Sequence, residues 1–210
     1  MTSILFQNFN ERSKEVSEYF IFLQSLEQGT AKLLIESKEG SKTQKIDIKL
    51  VQTLKASAFL LLYNLIESTM RDAIEAIFEE LKNQNVSFDK ITPELKKVVL
   101  KNLKIQLNKT SIDEIYNKIV DISLDIVKIS KLEKQFSGNI DYEKIKTTAK
   151  EYGFSAKTKT DIKDYLFKVK TNRNDLAHGH KSFAEVGKDK SIDELIKIKD
   201  KVVEYLRQIL

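Results

Sequence analysis

Residues 170–180 read Lys-Thr-Asn-Arg-Asn-Asp-Leu-Ala-His-Gly-His, and they hold both histidines of a 210-residue chain. An imidazole gains and loses a proton near neutral pH. A guanidinium stays charged, and its planar fork matches phosphate oxygens. Arg173 followed by His178 can therefore hold a phosphate and move a proton, the two needs of phosphodiester cleavage. Asn174 carries an amide able to position the phosphate or the imidazole. Asp175 can orient His178 or simply solvate the helix end. His180 is a second proton carrier or an idle loop residue.

Spacing alone does not assemble this pair. Successive residues of an α-helix turn by about 100°, so Asn174 and His178 share a face. Arg173 and His178, five apart in sequence, diverge by roughly 140° on the same geometry. Two arrangements reconcile them: the last turn unwinds at Gly179, or two copies of the segment meet across a dimer axis. Taken on spacing only, a helix-end histidine at the negative pole of the dipole and an arginine in a surface ion pair are the better explanation of the string.

Other chemistry lacks residues. The chain has no cysteine, which removes disulfides, thiolate nucleophiles and cysteine-ligated metals. No glycine-rich phosphate loop is present. Two histidines without a matching carboxylate set make a poor metal site. No serine stands in a recognisable nucleophile arrangement, and the aromatics are spaced as core rather than as a base-stacking platform.

The elements that must carry this string read as helices. One proline, six glycines and many straight-chain residues favour them. The spacing predicts a first helix over Phe9–Gln28, with Val16, Phe20, Phe22, Leu23 and Leu26 apolar and Gly29 as its stop. The strongest helix is predicted over Thr53–Asn83. Its segment from Ala56 to Ile66 is apolar almost all round and so is buried on more than one side. Asn64, Glu67, Ser68 and Arg71 form a polar stripe on it, read either as a solvent face or as a second wall of the cleft. Between the two, a turn at residues 38–42 and the alternating run Lys45-Ile46-Asp47-Ile48-Lys49-Leu50 leave room for a small β-hairpin near residues 33–50. Thr92 with Pro93 opens a helix running to about Leu107. The tetrapeptide Ser-Ile-Asp-Glu at 111 and again at 191 is a capping box before two more helices. Asp141 caps a short helix that stops near Gly153. Thr160 or Asp161 starts the helix bearing Arg173, with Leu166, Val169, Arg173 and Ala177 along one face and Gly179 at its end. Leu195, Ile198, Val202, Tyr205, Leu206 and Ile209 give the last helix its apolar face.

Composition sets the frame. The chain is 41% apolar and 32% charged, as in soluble globular proteins. It is long enough to bury a core without disulfides. The net charge of +5 is a mild attraction for a polyanion, although a lysine-rich proteome would produce the same value. The start lacks a secretory signal pattern. The longest near-apolar run, from Ala56 to Ile66, is far short of the roughly 18–20 residues that span a bilayer. The expectation is a cytoplasmic, all-α protein of one domain over residues 1–210.

The string Lys170-Thr-Asn-Arg-Asn-Asp-Leu-Ala-His-Gly179 resembles the HEPN signature: an arginine, four to six residues, then a histidine, commonly with asparagine after the arginine. Residues 182–187 (Ser-Phe-Ala-Glu-Val-Gly), 9–12 (Phe-Asn-Glu-Arg) and 61–71 (Leu-Leu-Tyr-Asn-Leu-Ile-Glu-Ser-Thr-Met-Arg) are similar to segments of the MAE_28990/MAE_18760-like HEPN family. The resemblance spans most of the chain and is strongest over residues 9–28, 53–80 and 161–210. It implies a HEPN-type helical bundle acting as a homodimeric, metal-independent endoribonuclease without cofactors. In that picture the RNA 2′-hydroxyl attacks the adjacent phosphate, a nucleophile that DNA lacks. Arg173 and His178 would be catalytic, Asn174 and Asp175 supporting, and Asn64, Glu67 and Arg71 a cleft wall. The setting implied is bacterial defence or a toxin–antitoxin-like system, with an antitoxin or defence partner. Some HEPN toxins carry a modifiable tyrosine two residues after the histidine; His180 stands there instead. The alternatives are a non-catalytic HEPN dimer that binds RNA or a partner protein, and a plain helical oligomerisation domain.

Overall fold

The computed structural model describes residues 4–37, 40–109, 111–114, 136, 138–156 and 162–210. Among them run α1 (Ile4–Glu27), β1 (Leu33–Ser37), β2 (Gly40–Gln44), α2 (Ile48–Asn83), a 3-10 turn (Phe88–Lys90), α3 (Pro93–Asn108), α4 (Tyr142–Tyr152), α5 (Ile162–Ala177), α6 (Phe183–Lys188) and α7 (Ile192–Ile209). The fold is all-α with one small antiparallel hairpin, in which Leu33 pairs Gln44 and Ser37 pairs Gly40. The N-cap expected at Thr160 or Asp161 lies outside the described residues. So does the helix expected after Ser111 beyond Glu114; its first turn is present, with the Ser111 hydroxyl accepting from the Glu114 amide at 3.3 Å.

The hairpin occupies residues 33–44, and the alternating run at 45–50 is not a strand. Asp47 takes over there. Its carboxylate accepts from the Lys49 amide at 2.6 Å and its carbonyl accepts from Val51, which is N-cap geometry. Helix α2 therefore starts at Ile48, five residues before the predicted Thr53. Downstream, Thr92 caps α3 through the Leu95 amide. Asp141 caps α4, which closes on a left-handed Gly153.

The described residues gather into two compact units. The first holds α1, the hairpin, α2 as far as Ser68, and α5, α6 and most of α7. Its core is built from Phe9, Val16, Phe20 and Leu23 of α1, Phe59, Leu62 and Ile66 of α2, Ile162, Leu166 and Val169 of α5, and Leu195, Ile198 and Val202 of α7, all buried. Phe22, expected in the α1 stripe, is 44% exposed. The second unit starts at Thr69 within α2 and includes α3 and α4. Ile74 and Phe78 pack there with Leu95, Val98, Val99 and Tyr152.

Polar ties register the helices of the first unit. Tyr19 donates its hydroxyl to the Leu54 carbonyl at 2.6 Å. Lys55 donates to Glu27 at 2.7 Å and to the Lys190 carbonyl at 3.0 Å. Helix α6 was not predicted, although its signature was in view: Ser182 and Glu185 form a full capping box. It lies so close to α2 that a Cβ on Gly187 would stand 1.9 Å from the Gln52 carbonyl oxygen. The box expected at Ser191 is half made. Its hydroxyl accepts from the Glu194 amide, while the Glu194 carboxylate turns to Lys168 and Lys190, each at 3.5 Å.

Candidate active site

Helix α5 buries Ile162, Leu166, Val169 and Leu176. Arg173 falls four residues after Val169 and three before Leu176, so it occupies the apolar seam at its regular spacing. A cation in such a seam needs a partner that accepts both charge and apolar contact. Buried Tyr63 of α2 supplies one, with the Arg173 guanidinium stacked 4.4 Å from its ring centroid. Arg173 also donates from Nη1 to the Asn174 side-chain oxygen at 2.9 Å. One face of the guanidinium thus rests on a ring and one edge on an amide.

The end of α5 explains where the histidines sit. The His178 amide still donates to the Asn174 carbonyl at 3.0 Å, so the helical ladder runs through it. Gly179 then takes φ +69°. Its amide donates to Leu176 and the His180 amide to Asp175, the paired bonds of a Schellman closure. The unwinding considered as a way of swinging His178 toward Arg173 does not take place; the chain turns only after His178. Both histidines are exposed, with ring centroids 5.7 Å apart.

The predicted residues separate into subsets. Arg173 and Asn174 are brought together. Asp175 holds Lys181 at 2.7 Å and approaches His180 Nδ1 at 3.9 Å, and among the described residues it makes no hydrogen bond to His178. In α2, Glu67 is one turn on from Tyr63 and so lies on the side that faces α5; it is half-buried, and Asn64 is exposed. Arg71 is exposed and belongs to the second unit. Tyr63 is the residue the sequence reading passed over. Its signal was a lone phenol in an aliphatic run, next to a polar stripe. Among the described residues no group of three or more histidine, aspartate or glutamate side chains is placed to hold a metal ion, and no helix is long and apolar enough to cross a membrane.

A family model described as HEPN_MAE_28990/-like HEPN matches residues 1–210, the whole chain. The chain belongs to the MAE_28990-like HEPN family. In this HEPN protein Arg173 and Asn174 lie on α5, His178 follows its last residue, and Tyr63 lies on α2. No curated protein and no solved structure matches the chain.

Proposed function

We propose that this HEPN protein is an endoribonuclease working as a homodimer, with residues 1–210 as a single HEPN domain. The observation that carries the reading is Arg173. A guanidinium in an apolar seam, fixed on Tyr63 and Asn174, is costly as plain structure and well suited to stabilising phosphate charge in a transition state.

In the proposed reaction the 2′-oxygen of RNA attacks the adjacent phosphorus. The P–O5′ bond breaks, leaving a 2′,3′-cyclic phosphate and a 5′-hydroxyl. The proton of the 2′-hydroxyl goes to a base, and the 5′-oxygen receives one from an acid. His178 serves one of these steps, and Arg173 holds the non-bridging oxygens. Asn174 fixes Arg173, so its role is positioning, and Glu67 stands as wall. Asp175, engaged with Lys181, supports the loop after α5 rather than the imidazole. No step uses a metal ion or cofactor. Because Arg173 and His178 diverge on one unbroken helix, each phosphate is served by Arg173 of one protomer and His178 of its partner. The defence or toxin–antitoxin role rests on family analogy, a controlling partner protein on the need to restrain a nuclease, and the cytoplasmic setting on the sequence expectation.

The test is purified protein with single-stranded RNA in EDTA. Cleavage to cyclic-phosphate ends is expected, lost in Arg173→Ala and His178→Ala variants that keep the wild-type melting temperature. Full activity in both variants would refute the reading. RNA binding that survives His178→Ala, without cleavage by any form, would favour a binding module.

A further inference from the structure

Between α3 and α4, inside the second unit, lies a cavity of about 450 Å³. Its described lining includes Lys97, Lys101 and Asn102 of α3 and Lys144, Lys150 and Tyr152 of α4, with Val98 and Ile105 as apolar wall. Among the described residues, three buried side-chain polar atoms lack a hydrogen-bond partner; two of them, Asn102 Nδ2 and Tyr152 Oη, belong to this lining. The residues are only 2% and 4% exposed. Leaving such a group unsatisfied costs its full desolvation penalty. Two such groups beside one cavity are what a site that gives up stability for binding would contain. Burial, and to a lesser degree the neighbouring Glu151 charge, push the Tyr152 hydroxyl up from its ordinary range, so the phenol stays protonated and is a donor.

The rim is cationic. Lys97, Lys101, Lys144 and Lys150 are exposed there against two carboxylates, Glu94 and Glu151. None of the four lysines is in an ion pair among the described residues. The volume falls within the ~300–1,000 Å³ of small-molecule sites. We infer that this cavity binds a small organic acid with an apolar body. The lysines would hold its acid group, and its polar edge would pair with the Asn102 amide and the Tyr152 hydroxyl, whose residues belong to the lining. The site belongs to the second unit and does not depend on the ribonuclease reading.

The experiment is calorimetric titration of the full chain with 1-naphthyl phosphate, 1-naphthoate and neutral 1-naphthol. One-to-one saturable binding of at least one acid is expected, about tenfold or more tighter than naphthol, or ~1.4 kcal/mol. Whichever acid binds tighter identifies the headgroup as phosphate or carboxylate. Lys101→Glu should weaken it at least tenfold with an unchanged melting temperature. Tyr152→Phe should weaken it while leaving the ligand-free melting temperature equal or higher, because the orphaned hydroxyl is gone. Absence of saturable binding by both acids at millimolar concentration overturns the proposal. So does equal binding by Lys101→Glu. A lower melting temperature for Tyr152→Phe with undiminished binding also overturns it, by making the hydroxyl a structural group satisfied by a trapped water.

Discussion

At the scale of single residues, Tyr63 is the informative one. Stacking a guanidinium on a phenol ring is worth about 0.5–2 kcal/mol, more when water is excluded. The ring face does that work, and the hydroxyl is not part of it. If the protein cleaves RNA as proposed, Tyr63→Phe should therefore keep most of that activity, while Tyr63→Leu lowers kcat about tenfold, the equivalent of ~1.4 kcal/mol in the barrier. Single-turnover cleavage by the two variants, with circular dichroism as a check on folding, measures it. Equal losses in both variants would mean that the hydroxyl, not the stack, matters. A sequence reading could find Arg173 and His178 because their chemistry is written in their residue types. It could not find the stack, since Tyr63 and Arg173 are 110 residues apart and meet only when α2 and α5 pack.

Elements were legible in proportion to their periodicity. The seams of α1, α2, α5 and α7 repeat at helical spacing, and a helix stands at each, although α1 and α2 both begin five residues before the expected Phe9 and Thr53. Short features set by one cap were harder to read. Asp47 converts an alternating run into the start of α2, and Ser182 with Glu185 closes a six-residue helix too short to show a period. Helix α6 is also where three stability predictions belong. Gly187→Ala would force a methyl into the Gln52 carbonyl, so either the backbone shifts or α6 lifts. A loss of about 3 kcal/mol is expected, at the upper end for overpacking, read as a lower urea midpoint with the slope unchanged. Ser182→Ala removes an N-cap and should cost ~1 kcal/mol. The Ser182 amide and hydroxyl both donate to the Glu185 carboxylate, which holds its pKa below the ordinary glutamate value. The contribution is thus fully present above the ordinary range and is lost as pH falls through the lowered folded value. The melting-temperature gap between wild type and Glu185→Gln should be largest near neutrality and close up in strong acid. A gap that widens on acidification would contradict the assignment.

At the scale of the whole molecule, the splayed pair makes oligomeric state a question of chemistry. A single unbroken α5 presents Arg173 into the seam between helices and His178 outward past its end. If each phosphate is served by two protomers, inactive Arg173→Ala and inactive His178→Ala proteins should restore activity to one another when unfolded together and refolded as a mixture. Half of a random mixture of dimers is heterodimer, and each has one site with both groups. Specific activity of about a quarter of wild type is expected on that counting, read by the same RNA assay. No recovery, with mixed dimers shown to form, would place both groups in one protomer.

The pinned guanidinium also carries a consequence of handedness. Tyr63 covers one face of Arg173 and Asn174 fixes one edge, so the side chain cannot roll to meet a substrate from either side. The two non-bridging oxygens of a phosphodiester are mirror-related positions, and a fixed fork distinguishes them. RNA carrying a single phosphorothioate at the cleavage site should be cut at clearly different rates in its Rp and Sp forms. That preference should fade in Tyr63→Leu, where the fork is free to turn.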